Sequence, residues 1–481
     1  MSKENNTIEL APGLNICPVL TGLWQIADLE RDGNKVNPHE AAKAMKSYAE
    51  AGFTTFDMAD HYGSAEEITG TYIQTYGKEN AQFFTKWVPS PGNISKDQVM
   101  ERALTRMHSE QIDLMQFHAW QYSHPSWVDC LFWLQELKEE GLIKHLGLTN
   151  FDTAHLNIVV NSGIKVVSNQ VCYSLLDQRA AGKMTELCLQ HGIKLLAFGT
   201  VGGGFLSEKW LGKEEPLLND ELTWSQMKYK RFVDQIGGWN KLQNLLQVLD
   251  QVAKKQEVGI ANVASRYMMD QPAVGGVIIG ARLGKSAHIE DNQKLFKLQI
   301  EDQDKEKIKE VLNTFDPIPG DCGDEYRKPP FLTASGDLSH HVESFPAPYP
   351  TVKGNDGRTK ALSGTIWEDI AGFSRAVRKG NRISVSGTTA THGSFAMGGL
   401  DPAAQTHFII DKLEGAIQAL GGKLEDVIRT RIFIRNISDW EAVARAHGER
   451  FAEIQPTNTM VKADLIGDEY LVEIEAEAVV E

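Results

Sequence analysis

The chain has 481 residues, 42% of them hydrophobic, and 64 acidic against 49 basic side chains leave a formal net charge of −15. That length exceeds what one hydrophobic core accommodates, so two domains are expected, and the acidic balance argues against nucleic acid or an anionic membrane as partner. No apolar run approaches the roughly eighteen residues of a membrane span, and MSKENNTIEL lacks the basic and apolar regions of a signal peptide, so a soluble cytoplasmic protein is expected.

In chain order, IELAPGLNICPV reads as a hairpin turning at Pro-Gly, placed to close the bottom of a barrel. Eight strand candidates come next: VLTGLW, FTTFDMA, AQFFTKW, IDLMQFHAW, IKHLGLTN, IKVVSNQVCY, IKLLAFGTV and VGGVIIGA. Amphipathic segments such as EEITGTYIQTYG and SWVDCLFWLQELKEEG separate most of them, an alternation that predicts an α/β fold with a (β/α)8 TIM barrel over residues 1–316. A polar insertion at 202–239 is the candidate for a loop that clamps over a ligand. Residues 317–360, rich in Pro, Gly and charge, read as a linker. Strands at 382–390, 426–435, 459–466 and 470–480, with helices at 401–420 and 438–454, predict a small α+β domain over 361–481. The five cysteines are odd in number and lack CxxC spacing, which predicts reduced, buried thiols and no metal site.

Four polar residues stand at or just past barrel strand ends: Asp57, Tyr62, Lys86 and His118. A tyrosine, with a pKa of about 10 when unperturbed, protonates a carbonyl oxygen near neutrality if a cation brings that value down, and Lys86 is the expected cation. Asp57 would hold the ammonium and His118 orient the carbonyl, so the reaction class is carbonyl reduction by hydride transfer. After the eighth strand, Gly280 is expected at a strand-to-helix junction that favours an anion, with Arg282 and Lys285 supplying charge for a phosphate. Trp24, Trp87 and Trp120 are expected on the same rim, forming an apolar substrate mouth.

The segments TTFDMADHYG, FFTKW, DLMQFHAW, LGLTNF, VVSNQVCYSLLDQ, AFGTVGGGFL and VIIGARLGKSAHIEDN resemble the aldo-keto reductases over about residues 7–315. The resemblance implies a catalytic tetrad of Asp57, Tyr62, Lys86 and His118. It further implies that Thr149, Asn150 and Gln170 hold a nicotinamide carboxamide, that Tyr173 stacks on the ring, and that His288 and Asn292 meet the adenine of NADP(H). FSRAVRKGNRISVSGTTA, DPAAQTHFIIDKLEGAIQALGG and YLVEIEAEAVVE resemble the reactive-intermediate deaminase (Rid/YjgF) family, which implies a chorismate mutase-like fold and a homotrimer. Deaminating members carry an arginine where this chain has Asn458, and Arg431, Arg435, Glu473 and Glu475 are the other polar candidates there. The expected function is NADP-dependent reduction of a small-molecule aldehyde or ketone, with a Rid-like domain that trimerises the chain or binds a ligand. The alternatives are a non-catalytic NADP-binding regulatory or structural subunit, and a bifunctional imine hydrolase and carbonyl reductase.

Overall fold

The apolar residues on either side of Pro12-Gly13 pair as an antiparallel hairpin, β1 (Ile8–Ala11) with β2 (Leu14–Ile16), turning at Gly13, whose φ of 75° suits glycine. This hairpin opens the computed structural model of the chain, which describes residues 6–30, 33–89, 94–99, 103–219, 221–328 and 345–481. Eight strands follow: β3 (Val19–Gly22), β4 (Thr55–Asp57), β5 (Gln82–Trp87), β6 (Ile112–Phe117), β7 (Ile143–Thr149), β8 (Ser168–Cys172), β9 (Lys194–Phe198) and β10 (Val274–Gly280). They close into a parallel barrel in which β10 pairs with both β3 and β9.

The two-residue period of a strand sends alternate side chains into the barrel and out to the helices. Leu20, Phe84, Leu114, Leu196 and Ile278 fill the barrel from within and pack on Leu10, Leu14 and Ile16 of the hairpin, which seals the floor. Counting two residues upward from Leu20, Phe84, Leu114, Leu196 and Ile278 gives Gly22, Lys86, Gln116, Phe198 and Gly280. The pattern that builds the core therefore also aims the rim.

The insertion at 202–239 carries short helical turns at Gly202–Gly204 and Glu208–Trp210 and a helix over Trp224–Gln235. Thr223 caps that helix, its hydroxyl accepting from the Gln226 N–H while the Gln226 side chain accepts from the Thr223 N–H.

The stretch 317–360, expected to be a linker, differs in both described parts. Asp324–Arg327 forms a helical turn against the barrel. β11 (Thr351–Lys353) and β12 (Arg358–Ala361) form an exposed hairpin on the edge of the second sheet. Its turn uses Asp356, whose carboxylate accepts from the Arg358 N–H, and Gly357 at a φ of 77°. Charged residues are a usual guard for an edge strand, so here a polar composition hid a β-hairpin.

The second domain continues with β13 (Ala376–Lys379), β14 (Arg382–Thr389), a ribbon of β15 (Thr391–His392) and β16 (Phe395–Ala396), then β17 (Val427–Ile434), β18 (Thr457–Lys462) and β19 (Val472–Val479). Its sheet runs β11-β12-β13-β14-β19-β17-β18, with only the β17–β18 pair parallel. Val472, Ile474, Ala476 and Ala478 are buried toward the helices Pro402–Ala419 and Trp440–Phe451, while Glu473, Glu475 and Glu477 take the other face. The long helix Pro402–Ala419 also packs on the barrel helix Thr153–Asn161. His155 pins that contact, its two ring nitrogens 2.7 Å from Asp152 and 2.8 Å from Asp411. Among the described residues no helix is long and apolar enough to cross a membrane.

Candidate active site

Asp57 ends β4 inside the barrel mouth, and its carboxylate is fully engaged. One oxygen accepts from the Lys86 ammonium at 2.7 Å, the other from the side-chain amides of Gln116 and Gln170 at 2.9 and 2.8 Å. Lys86 donates also to the Met58 carbonyl at 2.9 Å. Burial pulls the ammonium below its ordinary pKa even though Asp57 opposes the shift.

Tyr62, on the loop after β4, places its ring 4.9 Å from the Lys86 nitrogen. Burial, followed by the charges of Asp57, Tyr326 and Asp60, pushes its phenol well above the usual value. The lowering expected from Lys86 is thus outweighed, and the phenol is held protonated at neutral pH. His118 follows β6 and is 2% exposed, with both ring nitrogens lacking a hydrogen-bond partner among the described residues. Burial, then the positive charges of Arg327, His61, Lys86 and Lys228, drives its pKa well below the ordinary value, so the ring is neutral. A buried, neutral imidazole has one N–H to give and, among the described residues, no acceptor that takes it.

Thr149, Asn150 and Gln170 line the same cleft, which has a volume of about 540 Å³. Asn150 stands at a φ of 57°, and its side-chain oxygen is buried without a partner. Gln170 gives its N–H groups to Asp57 and, at 2.9 Å, to Gln116, so it braces the carboxylate as well as facing the cleft. Gly280, Arg282, His288 and Asn292 lie on the wall, whereas Lys285 is exposed and does not. The helix expected at Gly280 begins only at Ile289 and spans five residues, so a loop carries Arg282 to the mouth.

Two expected positions fall elsewhere for one reason. Gln170 points into the barrel, so Tyr173, an odd number of residues on, turns outward and is 1% exposed in the core away from the cleft. Likewise Lys86 points inward and Trp87 outward, packed 5.9 Å from Phe117. Trp24 and Trp120 do line the cleft.

The sequence reading missed Phe198, Lys228 and Tyr326. Phe198 has the inward register of Leu196, a signal present in the β9 pattern. Lys228 sits in the charged run MKYKRFVD of the insertion helix, where a lysine looks solvated. Tyr326 belongs to the stretch read as a linker, yet its ring lies 5.1 Å from His118 and its hydroxyl 3.1 Å from the Lys228 nitrogen. Burial opposes the charge on Lys228, but Tyr326, Cys172 and Glu325 outweigh it and keep the pKa above its ordinary value.

In the second domain most of the singled-out polar residues are engaged within the domain. Asn458 donates to the Thr430 hydroxyl at 2.9 Å, which in turn lies 3.0 Å from His447. Arg431 pairs with Glu475 at 2.6 Å, and Arg435 binds the carbonyls of Tyr470, Leu465 and Gly467. Arg375, which the sequence reading did not single out, is buried with its Nε unpartnered. It donates to the Gly387 carbonyl and the Thr388 hydroxyl, and burial lowers its pKa. Glu473 is shifted up by burial despite that guanidinium.

Comparison with known proteins divides the chain in two. The family model described as "Aldo/keto reductase family" matches residues 18–313, and that described as "Endoribonuclease L-PSP" matches residues 366–480. Aldo-keto reductase family 1 member C1 of Macaca fuscata fuscata is 26% identical over 337 residues, covering 64% of this chain and 92% of that protein. An uncharacterized protein of Streptomyces coelicolor is 41% identical over 120 residues, 25% of this chain and 90% of its own length. Among solved structures, a glycerol dehydrogenase of Gluconobacter oxydans superposes with a TM-score of 0.53 at 22% identity, covering 66% of this chain and 98% of that one, a likeness of fold.

Proposed function

Because the chain belongs to the aldo/keto reductase family and carries a YjgF-like domain behind its barrel, we propose that it reduces an aldehyde or ketone with NADPH, Tyr62 giving the proton. The observation that carries this reading is the meeting, in one cleft, of a protonated phenol, a lysine–aspartate pair and a buried imidazole with no partner. His118 donates its N–H to the carbonyl oxygen and orients it. Tyr62 transfers its proton to that oxygen as charge develops there, and the Lys86 ammonium beside the ring steadies the phenolate left behind. Asp57, braced by Gln116 and Gln170, keeps Lys86 in place.

The residues present fit a nicotinamide dinucleotide. The orphaned Asn150 oxygen suits a carboxamide N–H, with Thr149 and Gln170 beside it, and Phe198 offers a flat face for the ring. Arg282, exposed at the mouth with no ion pair among the described residues, suits the extra phosphate of NADP, and His288 and Asn292 suit the adenosine. When bound, NADPH supplies the hydride. The test is NADPH oxidation by the purified full chain with a panel of aldehydes and ketones; turnover is expected, and its absence across the panel sinks the reading.

The working division on this reading is a barrel over 1–316, to which Tyr326 adds a wall, and a C-terminal domain over 361–481, to which β11 and β12 add a hairpin. That domain assembles the chain as a homotrimer. The helix Ile366–Ala371 leaves Ile366, Trp367 and Ile370 exposed and β18 ends the sheet with a free edge, which supports self-association. A monomer by light scattering sinks that claim. With Asn458 engaged by Thr430 and no arginine in its place, the domain is not an imine hydrolase, and ammonia release from a 2-imino acid overturns this. The five cysteines are buried and unpaired, which supports a reducing, cytoplasmic setting.

A further inference from the structure

The cleft contains a second cation for which carbonyl reduction has no use. Lys228 reaches it from the insertion helix and is 5% exposed. Its nitrogen meets the Tyr326 hydroxyl at 3.1 Å and three aromatic rings, with centroids at 5.0 Å for Phe198, 5.0 Å for Tyr326 and 5.6 Å for Tyr229. Among the described residues no carboxylate comes within ion-pair distance of it. Glu325 is held by Arg179 at 2.9 Å, and the same guanidinium grips Asp177 at 2.7 and 2.9 Å. Glu325 therefore helps keep Lys228 charged without consuming its donors.

An ammonium has three N–H groups, and the Tyr326 oxygen takes one. A cation buried among rings and left short of acceptors is costly unless an anion completes it. The location says which anion. The Tyr326 ring neighbours both Lys228, at 5.0 Å, and the His118 imidazole, at 5.1 Å. These two contacts put the His118 imidazole and the Lys228 nitrogen within about 10 Å of each other, a span that a molecule with its carbonyl oxygen at His118 and Tyr62 and a second polar group across one aromatic ring can match, while Trp24 and Trp120 line the same cleft with apolar surface.

We propose that Lys228, with Tyr326, forms a specificity-determining subsite for a carboxylate on the substrate, which makes the substrate class a carbonyl acid with an apolar body. The inference rests on the reductase reading of the cleft. It deepens that reading and is separable from it by a binding measurement.

The test compares terephthalaldehydic acid with its methyl ester on the full-length protein. The acid is expected to have the higher kcat/KM by about tenfold or more, the span of a charge-assisted hydrogen bond. The acid-to-ester ratio should fall toward one in Lys228→Met, mainly through KM, and persist in Lys228→Arg. Calorimetry with para-toluate, which cannot be reduced, should show the same roughly tenfold dependence on Lys228. That result upholds the subsite even if no carbonyl turns over, which is how failure of the reductase reading is told apart. Equal kcat/KM for acid and ester in the wild type, a ratio unchanged in Lys228→Met, or equal para-toluate binding overturns the proposal. So does an NADPH affinity weakened by the same factor, which assigns Lys228 to a cofactor phosphate.

Discussion

The barrel mouth and the outer sheet face of the second domain both gather charged side chains, and they treat them oppositely. At the mouth the charges are buried and some donors and acceptors are left over: both nitrogens of His118, the side-chain oxygen of Asn150, two N–H groups of Lys228. On the sheet face Arg431 pairs with Glu475 across the strands, 42% and 34% exposed, and the two charges close on each other. A fold pays to bury an unsatisfied polar group, so leftover valence in a cleft marks where a ligand belongs, and closed pairs on a half-wet surface mark stability and solubility. Arg375 is one exception in the second domain, buried with its Nε unpartnered beside the shifted Glu473.

The sharpest way to break this contrast is Tyr62→Phe, which removes the transferable proton and leaves the walls of the cleft. Turnover should fall by about a hundred- to ten-thousand-fold while NADPH affinity, read by fluorescence titration, holds. A variant with more than half of wild-type turnover removes Tyr62 from the chemistry. Next in size is Asp57→Asn, which strands the Lys86 ammonium in the barrel and should cost about 3–5 kcal/mol in urea unfolding. A loss below about 1 kcal/mol, the level of surface pairs, would place Asp57 and Lys86 with Arg431 and Glu475. Arg282→Ala tests the exposed rim of the cleft. Because that guanidinium is solvated, the loss in NADPH binding should be near 1.5 kcal/mol, the low end for charged hydrogen bonds, with NADH scarcely changed. Equal wild-type affinities for the two cofactors count against a phosphate contact.

Between the two regions stands His155, stacked on Tyr122 at 3.3 Å and flanked by Asp152 and Asp411, the latter also bound by Arg450 at 2.6 Å. Burial opposes its charge, but the two carboxylates win and raise its pKa above 6.5. Its contribution to domain docking is complete below that ordinary value and is lost as pH rises through the elevated one. The depressed pKa values of Asp152 and Asp411 place the acid limit far lower. Melting of the full chain should therefore fall on the alkaline side, and His155→Gln should flatten that fall; identical pH slopes for the two proteins would refute the coupling. The smallest effect belongs to Glu475→Gln, expected to change stability by less than about 1 kcal/mol.

Much of this is legible in the sequence because the barrel uses one rule twice. Apolar runs of strand length mark the eight strands, and polar residues at or just past the ends of three of them bring Asp57, Tyr62, Lys86 and His118 together at one rim. Register accounts for two of the three expected positions that lie off the cleft: Tyr173 and Trp87 have the outward parity, because Gln170 and Lys86 already claim the inward one, while Lys285 sits on an exposed loop. What composition cannot show is what arrives from outside the repeat. Lys228 and Tyr326 come from an insertion and from a stretch that looks like a tether, and only the packed chain reveals that their polar heads turn inward. Strands β11 and β12 hide in the same way behind turn residues and edge charges.

Among the described residues the β1–β2 hairpin closes the floor of the barrel. Ile278 belongs both to the apolar floor cluster built on that hairpin and to the wall of the cleft, so the sealed end lies directly beneath the reacting groups. On the proposed reading, a product leaves by the mouth through which its substrate came, and such shared traffic imposes a queue, in which a spent molecule that lingers blocks the next.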